Sequence, residues 1–175
     1  MTEEQAIALI EAGIDRDQKI WADLGAGSGI FTLALDRLLG FGATIFAIDQ
    51  QLTILRENLK KKYTKSQIHL YEEDFSGSMP FLPKLDGILL ANSLHYVRDQ
   101  KAFLSRLISD QLKPGGRLII IEYDRYDPNS YVPYPLPLVN LERICVKLDI
   151  ALPEAIGRRK SIYGDHDIYS ALCRT

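Results

Sequence analysis

The stretch Ile20-Trp21-Ala22-Asp23-Leu24-Gly25-Ala26-Gly27-Ser28-Gly29, followed at once by Ile30-Phe31-Thr32-Leu33-Ala34-Leu35, decides the fold of this chain. A short apolar run meets three glycines at alternate positions and then an apolar pattern of helical period, which predicts a strand, a tight loop and a helix. Glycines let the backbone come close to a bound molecule, and the first amides of the helix offer hydrogen-bond donors. The loop is therefore predicted to hold a ligand that carries a carboxylate, a phosphate or a ribose.

The glycine spacing narrows the choice of ligand. The pattern is Asp-x-Gly-x-Gly-x-Gly, whereas the dinucleotide fingerprint is G-x-G-x-x-G, and Ile30 stands where its third glycine would be. A second buried-strand run, residues 43–48, ends in Asp49, about twenty residues past the glycines. A carboxylate in that place can accept hydrogen bonds from both hydroxyls of a ribose, so the two linked features together predict a ribose-bearing ligand.

Composition limits the class of protein. The 175 residues fit one domain, residues 1–175, that is large enough to bury most of its apolar surface. A formal net charge of −2 gives no global attraction to nucleic acid or to an acidic membrane. Cys145 and Cys173 show no metal or redox spacing, so no metal is expected. The acidic start lacks the order of a signal peptide and no apolar run is long enough to span a bilayer, which predicts a cytoplasmic protein without membrane contact.

Apolar periodicity alternates between strand and helix along most of the chain. The predicted strands are residues 20–24, 43–48, 67–71, 85–91 and 117–123, with two more in the tail, 154–163 and 167–174, joined by Gly164-Asp165. The predicted helices are residues 2–12, 28–39, 51–62, 99–112 and 138–149. Such alternation predicts a doubly wound α/β fold with helices on both faces of a parallel sheet, whose ligands bind beyond the carboxyl ends of the strands.

Taken together, these features resemble the class I S-adenosylmethionine-dependent methyltransferases over most of the chain. Asp-Leu-Gly-Ala-Gly-Ser-Gly at 23–29 looks like the first motif of that family, and Asp49 looks like the acidic residue of its second. Glu-Asp-Phe at 73–75 matches the place of an acidic residue near the adenine, and Leu-Lys-Pro-Gly-Gly-Arg-Leu at 112–118 looks like the turn and strand after the fourth helix. The resemblance implies a mostly parallel seven-stranded sheet of order 3-2-1-4-5-7-6, with the last strand antiparallel.

The resemblance also implies the residues that hold S-adenosyl-L-methionine. The backbone of the glycine loop and Asp23 would contact the methionine part, Asp49 would hold the ribose, and Asn92 would line the pocket beside the sulfonium. The implied cofactor-binding residues are Asp23, Gly25, Ala26, Gly27, Gly29, Asp49, Gln50, Asp74, Phe75 and Asn92.

The adenine end of this implied site leaves alternatives open. Asp74 would face the adenine, and Phe75 or Gln50 would lie against its ring. Asp74 fits a cap of the following turn as well, and Phe75 fits the hydrophobic core equally.

Methyl transfer from a sulfonium is an in-line displacement, so catalysis is mostly positioning, with a base only where the acceptor must lose a proton. The candidates for proton handling are His95, just past the fourth strand, and Tyr123 and Asp124, past the fifth. An imidazole suits a general base near neutrality. The alternative for His95 is that it only packs beside the cofactor.

The acceptor is predicted to be a small molecule. The tyrosine- and proline-rich segment 124–137 follows a strand end and is expected to form the acceptor wall, with His95, Tyr96, Tyr131 and Tyr134 as substrate residues. The Asp/Asn-Pro-Pro-Tyr/Phe motif of base-modifying relatives is missing at 91–94, which argues against nucleic acid as a partner. Few residues precede the first strand, so the pocket would be open, or covered by a homodimer partner or another subunit.

Two other functions are alternatives to a small-molecule methyltransferase. A non-catalytic or partner-dependent S-adenosylmethionine-binding module fits the small size and the absence of a helical lid. A nicotinamide-dependent oxidoreductase is disfavoured by Ile30 and by the lack of a Tyr-x-x-x-Lys pair.

Overall fold

One sheet of seven strands runs through the part of the chain that the computed structural model describes, residues 1–161, 164 and 166–175. The strands are β1 (Ile20–Leu24), β2 (Thr44–Asp49), β3 (Gln67–Glu72), β4 (Leu85–Ala91), β5 (Leu112–Tyr123), β6 (Glu154–Lys160) and β7 (Asp167–Arg174). The helices are α1 (Glu3–Ile10), α2 (Ile30–Leu39), α3 (Thr53–Lys60), α4 (Gln100–Asp110) and α5 (Leu138–Lys147), with short 3-10 helices at Glu11–Gly13 and Leu94–Tyr96.

The strand order is β3-β2-β1-β4-β5-β7-β6, which confirms the predicted topology. Strands β1 to β5 pair in parallel, whereas β7 pairs antiparallel with both β5 and β6. The order reverses at β1, because β2 lies on one side of it and β4 on the other. Crevices for ligands form at such a reversal, at the carboxyl ends of the strands. Gly25, Asp49 and Asn92 follow or end the three strands that meet there.

Each face of the sheet is covered by its own helices, because successive strand residues point to opposite faces. Trp21 belongs to a buried cluster with residues of α1 and α2, whereas the adjacent Ala22 belongs to a cluster with residues of α4 and α5. Leu55 of α3 packs in a third cluster with Ala47 of β2. Each large apolar side chain buried in this way contributes about 1.5 to 3 kcal/mol, so both faces hold the strand ends in place.

Two helices begin with a side-chain cap, and the starts of α2 and β5 are among the boundaries that differ from prediction. Thr2 and Gln5 form a capping box at the start of α1, and Asp99 accepts from the Ala102 N–H at 3.0 Å at the start of α4. Helix α2 begins at Ile30 rather than at residue 28, because Gly29 has a φ of 83° that no helix can continue. Strand β5 begins at residue 112 rather than 117, because the turn pairs with β4 before the main register starts.

Both predicted tail strands are present, the second with its predicted bounds of 167–174. The described part of the first one ends at Lys160, and its pairing with β7 is antiparallel as predicted. Ile162 and Tyr163, at the end of the predicted strand, and Asp165 of the predicted turn lie outside the described residues.

Three general features of the described chain bear on function. No helix found in it has the length and apolar character needed to cross a membrane. Its His, Cys, Asp and Glu side chains form no cluster of three or more that could hold a metal ion. Cys145 and Cys173 are buried free thiols whose sulfur atoms lie 3.7 Å apart.

Candidate functional site

Three neighbouring cavities lie at the carboxyl ends of the strands, and Asn92 lines all of them. The first cavity, of about 510 Å³, is lined among others by Gly27, Asp49, Gln50, Asp74 and Phe75. The second, of about 320 Å³, is lined by Ala26, Gly27, Ser28, Ile30 and Arg159 among others. The third, of about 720 Å³, is lined by His95, Tyr96, Tyr123, Arg125 and Tyr131 among others.

The glycine loop forms the wall between the first and second cavities. Gly25 and Gly27 line both cavities, and Ala26 lines the second. The Gly25 N–H donates to the Ile48 carbonyl at 2.8 Å, which ties the loop to β2. A β-carbon on Gly25 would overlap the side chain of Ser93, so only glycine permits this close packing.

Gly29 has a structural role that the sequence did not reveal. Gly29 is absent from the described residues that line the three cavities. Its N–H donates to the Ala26 carbonyl at 2.8 Å. A β-carbon at this position would overlap Leu55 Cδ1 of α3. Gly29 thus turns the chain into α2 and lets α3 pack close to the loop, and its expected ligand contact stays a prediction.

Asp49 closes β2 at the edge of the first cavity. Its Oδ2 accepts from the Gly27 N–H at 2.8 Å and its Oδ1 accepts from the Gln51 N–H at 2.9 Å. A carboxylate offers about four acceptor sites, so both oxygens keep a lone pair for a further donor. Because the loop amide fixes its orientation, the carboxylate is held ready to accept from the vicinal hydroxyls of a ribose.

Asp23 lies beneath the glycine loop, with 1% of its surface exposed. Its Oδ2 accepts from the Thr32 hydroxyl at 2.6 Å, whereas its buried Oδ1 has no hydrogen-bond partner among the residues described. Burial in a low-dielectric site raises the pKa of Asp23 to about 7, and the charge of Asp49 adds to the effect. The unpaired oxygen is the acceptor that a ligand's ammonium group or an intervening water would satisfy, but Asp23 itself lines no cavity wall described.

The far end of the first cavity brings together the residues expected near the adenine. Asp74 Oδ1 accepts from the Ser76 N–H at 2.8 Å, and hydrogen bonds from Ser76 hold the pKa of Asp74 below its ordinary value. The Phe75 ring meets Phe103 edge to face at a centroid distance of 5.9 Å. Both residues also line the cavity, together with Gln50, so the capping and core alternatives are compatible with a ligand contact.

Asn92 occupies the junction of the three cavities in a constrained conformation. Its φ of 51° lies in the left-handed region, and its N–H donates to the Ile121 carbonyl at 2.8 Å. Such a conformation costs on the order of 1 kcal/mol and is concentrated at functional sites. Within the described structure the buried side-chain Oδ1 has no hydrogen-bond partner. A buried acceptor left unpaired at the junction points to a missing ligand or water.

His95 forms a buried pair with a residue that sequence reasoning missed. Its Nδ1 lies 2.6 Å from Glu122 Oε2, and its backbone N–H donates to Glu122 Oε1 at 3.1 Å. His95 is 2% exposed and Glu122 is fully buried. The signal for Glu122 was present in the sequence, since a carboxylate inside a run of buried strand residues requires a partner.

Asp124 has two structural partners, and its expected place in catalysis stays a prediction. Its Oδ1 accepts from the Leu138 N–H at the start of α5, and its Oδ2 pairs with Arg158 at 3.1 Å. Among the described residues Asp124 is not on the wall of any of the three cavities. The negative charge is instead placed at the positive end of a helix, where it is stabilising.

The segment 124–137 contributes to the third cavity as expected, although its two tyrosines differ. Tyr131 lines the cavity with 78% of its surface exposed, and the side chain of Asn129 fixes the turn by accepting from the Tyr131 N–H at 2.9 Å. Tyr134 acts through its backbone, because its N–H donates to the His95 carbonyl at 3.0 Å and its carbonyl accepts from Gln100. Tyr96 and Tyr123 also face this cavity.

The sheet order, the antiparallel last strand and the glycine loop at the reversal point define the fold of the class I S-adenosylmethionine-dependent methyltransferases. The methyltransferase domain family model matches residues 22–120, and the chain belongs to that family. The predicted resemblance is therefore confirmed.

The chain spans about half the length of the curated relatives that it matches. The ubiquinone/menaquinone biosynthesis C-methyltransferase UbiE of Pectobacterium atrosepticum is 30% identical over 118 residues, which are 65% of this chain and 46% of the relative. The UbiE protein of Pasteurella multocida is 31% identical over 127 residues, or 69% of this chain and 46% of the relative.

Solved structures share the fold at low sequence identity. The 1,6-didemethyltoxoflavin-N1-methyltransferase of Burkholderia thailandensis matches 99% of this chain and 77% of its own with a TM-score of 0.74 and 18% identity. An S-adenosylmethionine-dependent methyltransferase from Aquifex aeolicus matches 99% of this chain and 98% of its own with a TM-score of 0.68 and 16% identity.

Proposed function

We propose that this protein, as one domain, binds S-adenosyl-L-methionine in the first and second cavities and methylates a small molecule held in the third. The observation that carries the proposal is Asn92, which lines all three cavities with a strained backbone and an unpaired buried oxygen. Bound there, the cofactor would supply an electrophilic methyl group on a sulfonium. The partial negative charge of Asn92 Oδ1 favours a cationic centre at the junction.

The residues around the junction fit each part of this cofactor. Asp49 offers oriented oxygens to the ribose, while Asp74 and Phe75 offer an acceptor and a ring face to the adenine. The unpaired Oδ1 of Asp23 fits the ammonium group, directly or through water. Because Asn92 also borders the third cavity, an acceptor held there would stand next to the methyl group, and positioning supplies most of the rate gain.

The third cavity favours an enzyme over a module that only binds the cofactor. It has a volume of about 720 Å³ and is continuous in its lining with the cofactor cavities through Asn92, Tyr96 and Tyr123. A protein that only bound cofactor would not require this space. Loss of chemistry with retention of cofactor binding remains the second candidate, and turnover distinguishes the two.

Nucleic acid is disfavoured as a partner by the charges of the edge strand. Arg158 pairs with Asp124 and Asp167, and Lys160 pairs with Asp167, so these cations are already compensated. The prediction of a second copy or partner subunit over the open cavities stays a prediction, as does the cytoplasmic location.

A matched pair of glycine substitutions tests cofactor binding. Gly27 and Gly42 both have positive φ, of 53° and 80°, and a β-carbon on either would meet no described heavy atom within 4 Å. Gly27 borders the cofactor cavities, whereas Gly42 precedes β2 at the opposite end of the sheet. Gly27→Ala and Gly42→Ala should therefore carry the same backbone cost of about 1 kcal/mol, but only the former places a methyl group in the ligand's space.

Calorimetry with S-adenosylhomocysteine measures the difference. We expect the parent and Gly42→Ala to bind alike and Gly27→Ala to bind at least about tenfold more weakly, or about 1.4 kcal/mol. No binding by the parent, or equal binding by both variants, would overturn the cofactor assignment. Mass spectrometry of small-molecule acceptors incubated with S-adenosylmethionine then separates the enzyme from a binding module.

A further inference from the structure

The third cavity has an aromatic wall that suits a planar molecule. Tyr96, Tyr123 and Tyr131 line it together with His95, whose ring centroid lies 4.4 Å from that of Tyr96 and 6.1 Å from that of Tyr123. Aromatic pairs prefer offset or tilted contacts at such separations, and each is worth about 0.5 to 1.5 kcal/mol beyond burial. Rings in several orientations around one cavity favour an aromatic occupant.

Arg125 places a positive charge beside the same cavity. Its side chain lines the cavity, and its buried Nε has no hydrogen-bond partner in the described part of the chain. The neighbouring carboxylate of Asp124 is committed to Arg158 and to the start of α5. A guanidinium donor that is buried and unpaired is costly, and a bound anion would satisfy it.

The His95 and Glu122 pair supplies a base at the wall of this cavity. A carboxylate only accepts hydrogen bonds, so Glu122 Oε2 at 2.6 Å places the proton of the neutral imidazole on Nδ1. The lone pair then lies on Nε2, which makes no hydrogen bond to any of the described residues. Glu122 also accepts from the His95 N–H, so one buried carboxylate fixes both the ring and the backbone. Second partners of this kind set the tautomer of a catalytic imidazole.

We propose that the third cavity binds an aromatic acceptor that carries a phenolic hydroxyl and a separate anionic group. The anion lies against Arg125, the ring lies among the tyrosines, and the hydroxyl faces His95 Nε2. Glu122 acts as a positioning residue that holds the imidazole in its proton-accepting form. This inference rests on the proposed methyltransferase function and names the class of its acceptor.

The proton and the electrons balance without a further reactant. The phenolic O–H bond breaks and its proton moves to His95 Nε2, while the electron pair stays on the phenolate oxygen. That pair forms the new bond to the methyl carbon supplied by the cofactor, and the pair of the breaking carbon–sulfur bond returns to sulfur. The positive charge lost from the sulfonium reappears as the imidazolium, which Glu122 stabilises, until the proton passes to water.

Binding of model acceptors tests the role of Arg125. The probes are 3,4-dihydroxybenzoate and its neutral methyl ester, added to the protein saturated with S-adenosylhomocysteine. We expect Arg125→Gln to weaken binding of the carboxylate about tenfold or more and to leave the ester within about twofold. Arg98→Gln is the matched control, since Arg98 is exposed and, among the described residues, lines none of the three cavities.

Turnover tests the base and its positioning residue. With 3,4-dihydroxybenzoate, His95→Gln and Glu122→Gln should lower kcat by about 100-fold or more, with little change in KM. A nitrated analogue, 3,4-dihydroxy-5-nitrobenzoate, is already ionised at neutral pH and needs no base, so the defect of both variants should shrink to within about tenfold. A purely structural role for Glu122 would produce the same defect with both acceptors.

The outcomes separate this inference from the proposed function. If S-adenosylhomocysteine does not bind, the proposed function itself fails. If it binds but the aromatic anion does not, or if Arg125→Gln matches Arg98→Gln, the acceptor class is wrong. Equal defects with the two phenols, or a product methylated on a ring carbon instead of the oxygen, would overturn the role of the His95 and Glu122 pair.

Discussion

The buried carboxyl group of Asp23 should make the stability of the protein depend on pH in a direction opposite to that of most carboxylates. Desolvation raises its pKa from the ordinary 3.8 to about 7, and the hydrogen bond from Thr32 offsets only part of that effect. Between these two values the unfolded chain has lost the proton and the folded protein keeps it. The unfolded state then binds fewer protons, so the free energy of unfolding falls as pH rises.

The magnitude follows from the displacement of the pKa. At 1.36 kcal/mol for each pKa unit, the change from 3.8 to about 7 corresponds to about 4 kcal/mol. The contribution of the protonated form is fully present below about pH 4 and is lost by the time the pH has risen through about 7. Asp23→Asn is uncharged at every pH and keeps an oxygen that can accept from Thr32.

Urea unfolding of the parent and of Asp23→Asn between about pH 4.5 and pH 8 measures this effect. Other carboxylates titrate equally in both proteins, so the difference between their free energies of unfolding isolates Asp23. We expect that difference to shift in favour of Asp23→Asn by about 3 to 4 kcal/mol across the range. A difference that is constant with pH would show that Asp23 ionises normally in the fold and would refute the reasoning.

Cofactor binding should act on the same carboxyl group. An ammonium group beside the unpaired Oδ1 would favour the ionised form, so binding of S-adenosylhomocysteine near pH 6 should release up to about one proton. Calorimetry in buffers of different ionisation enthalpy measures that release. Asp23→Asn should bind without it; the same proton release in both proteins would assign the titration to another group.

Two further predictions concern the loop and the acceptor wall. Gly29→Ala should lower the free energy of unfolding by about 2 to 4 kcal/mol in urea titrations, because the added β-carbon overlaps Leu55. In a Leu55→Ala background the overlap is absent, and the cost of Gly29→Ala should fall to about 1 kcal/mol. An unchanged cost in that background would contradict the overlap. Tyr131→Ala should raise KM for 3,4-dihydroxybenzoate about tenfold, and Tyr134→Ala should raise it less than about twofold. Of these two tyrosines, Tyr131 lines the third cavity, whereas Tyr134 contributes backbone hydrogen bonds. Neither variant should affect S-adenosylhomocysteine binding. A larger effect at Tyr134 would reverse this assignment.

Local sequence patterns were sufficient to predict the strands, the helices and the glycine loop. The alternation of buried strand and amphipathic helix in residues 20–123 admits few topologies, and the family resemblance supplied the strand order. The positions of Asp49 and Asn92 at strand ends were enough to bring them to the same edge of the sheet, because parallel strands end together.

Side-chain partners across distant segments were not predictable in the same way. Asp124 was assigned to catalysis from its place after β5, but the docking of α5 and of Arg158 on β6 gives it two structural partners. The motif predicted a ligand contact for Gly29, whereas the close approach of Leu55 from α3 also requires a glycine at this position. Neither partner can be identified from spacing along the chain.

The sequence by itself determined the fold class and which strand ends share one edge of the sheet, because strand and helix periods and turn glycines act over a few neighbouring residues. Only the tertiary structure decided that Glu122 orients His95, that Asp23 is buried with a raised pKa, and that the Arg125 Nε at the third cavity has no hydrogen-bond partner among the described residues. The reason is physical: burial, dielectric environment and hydrogen-bond pairing depend on which distant segments pack together.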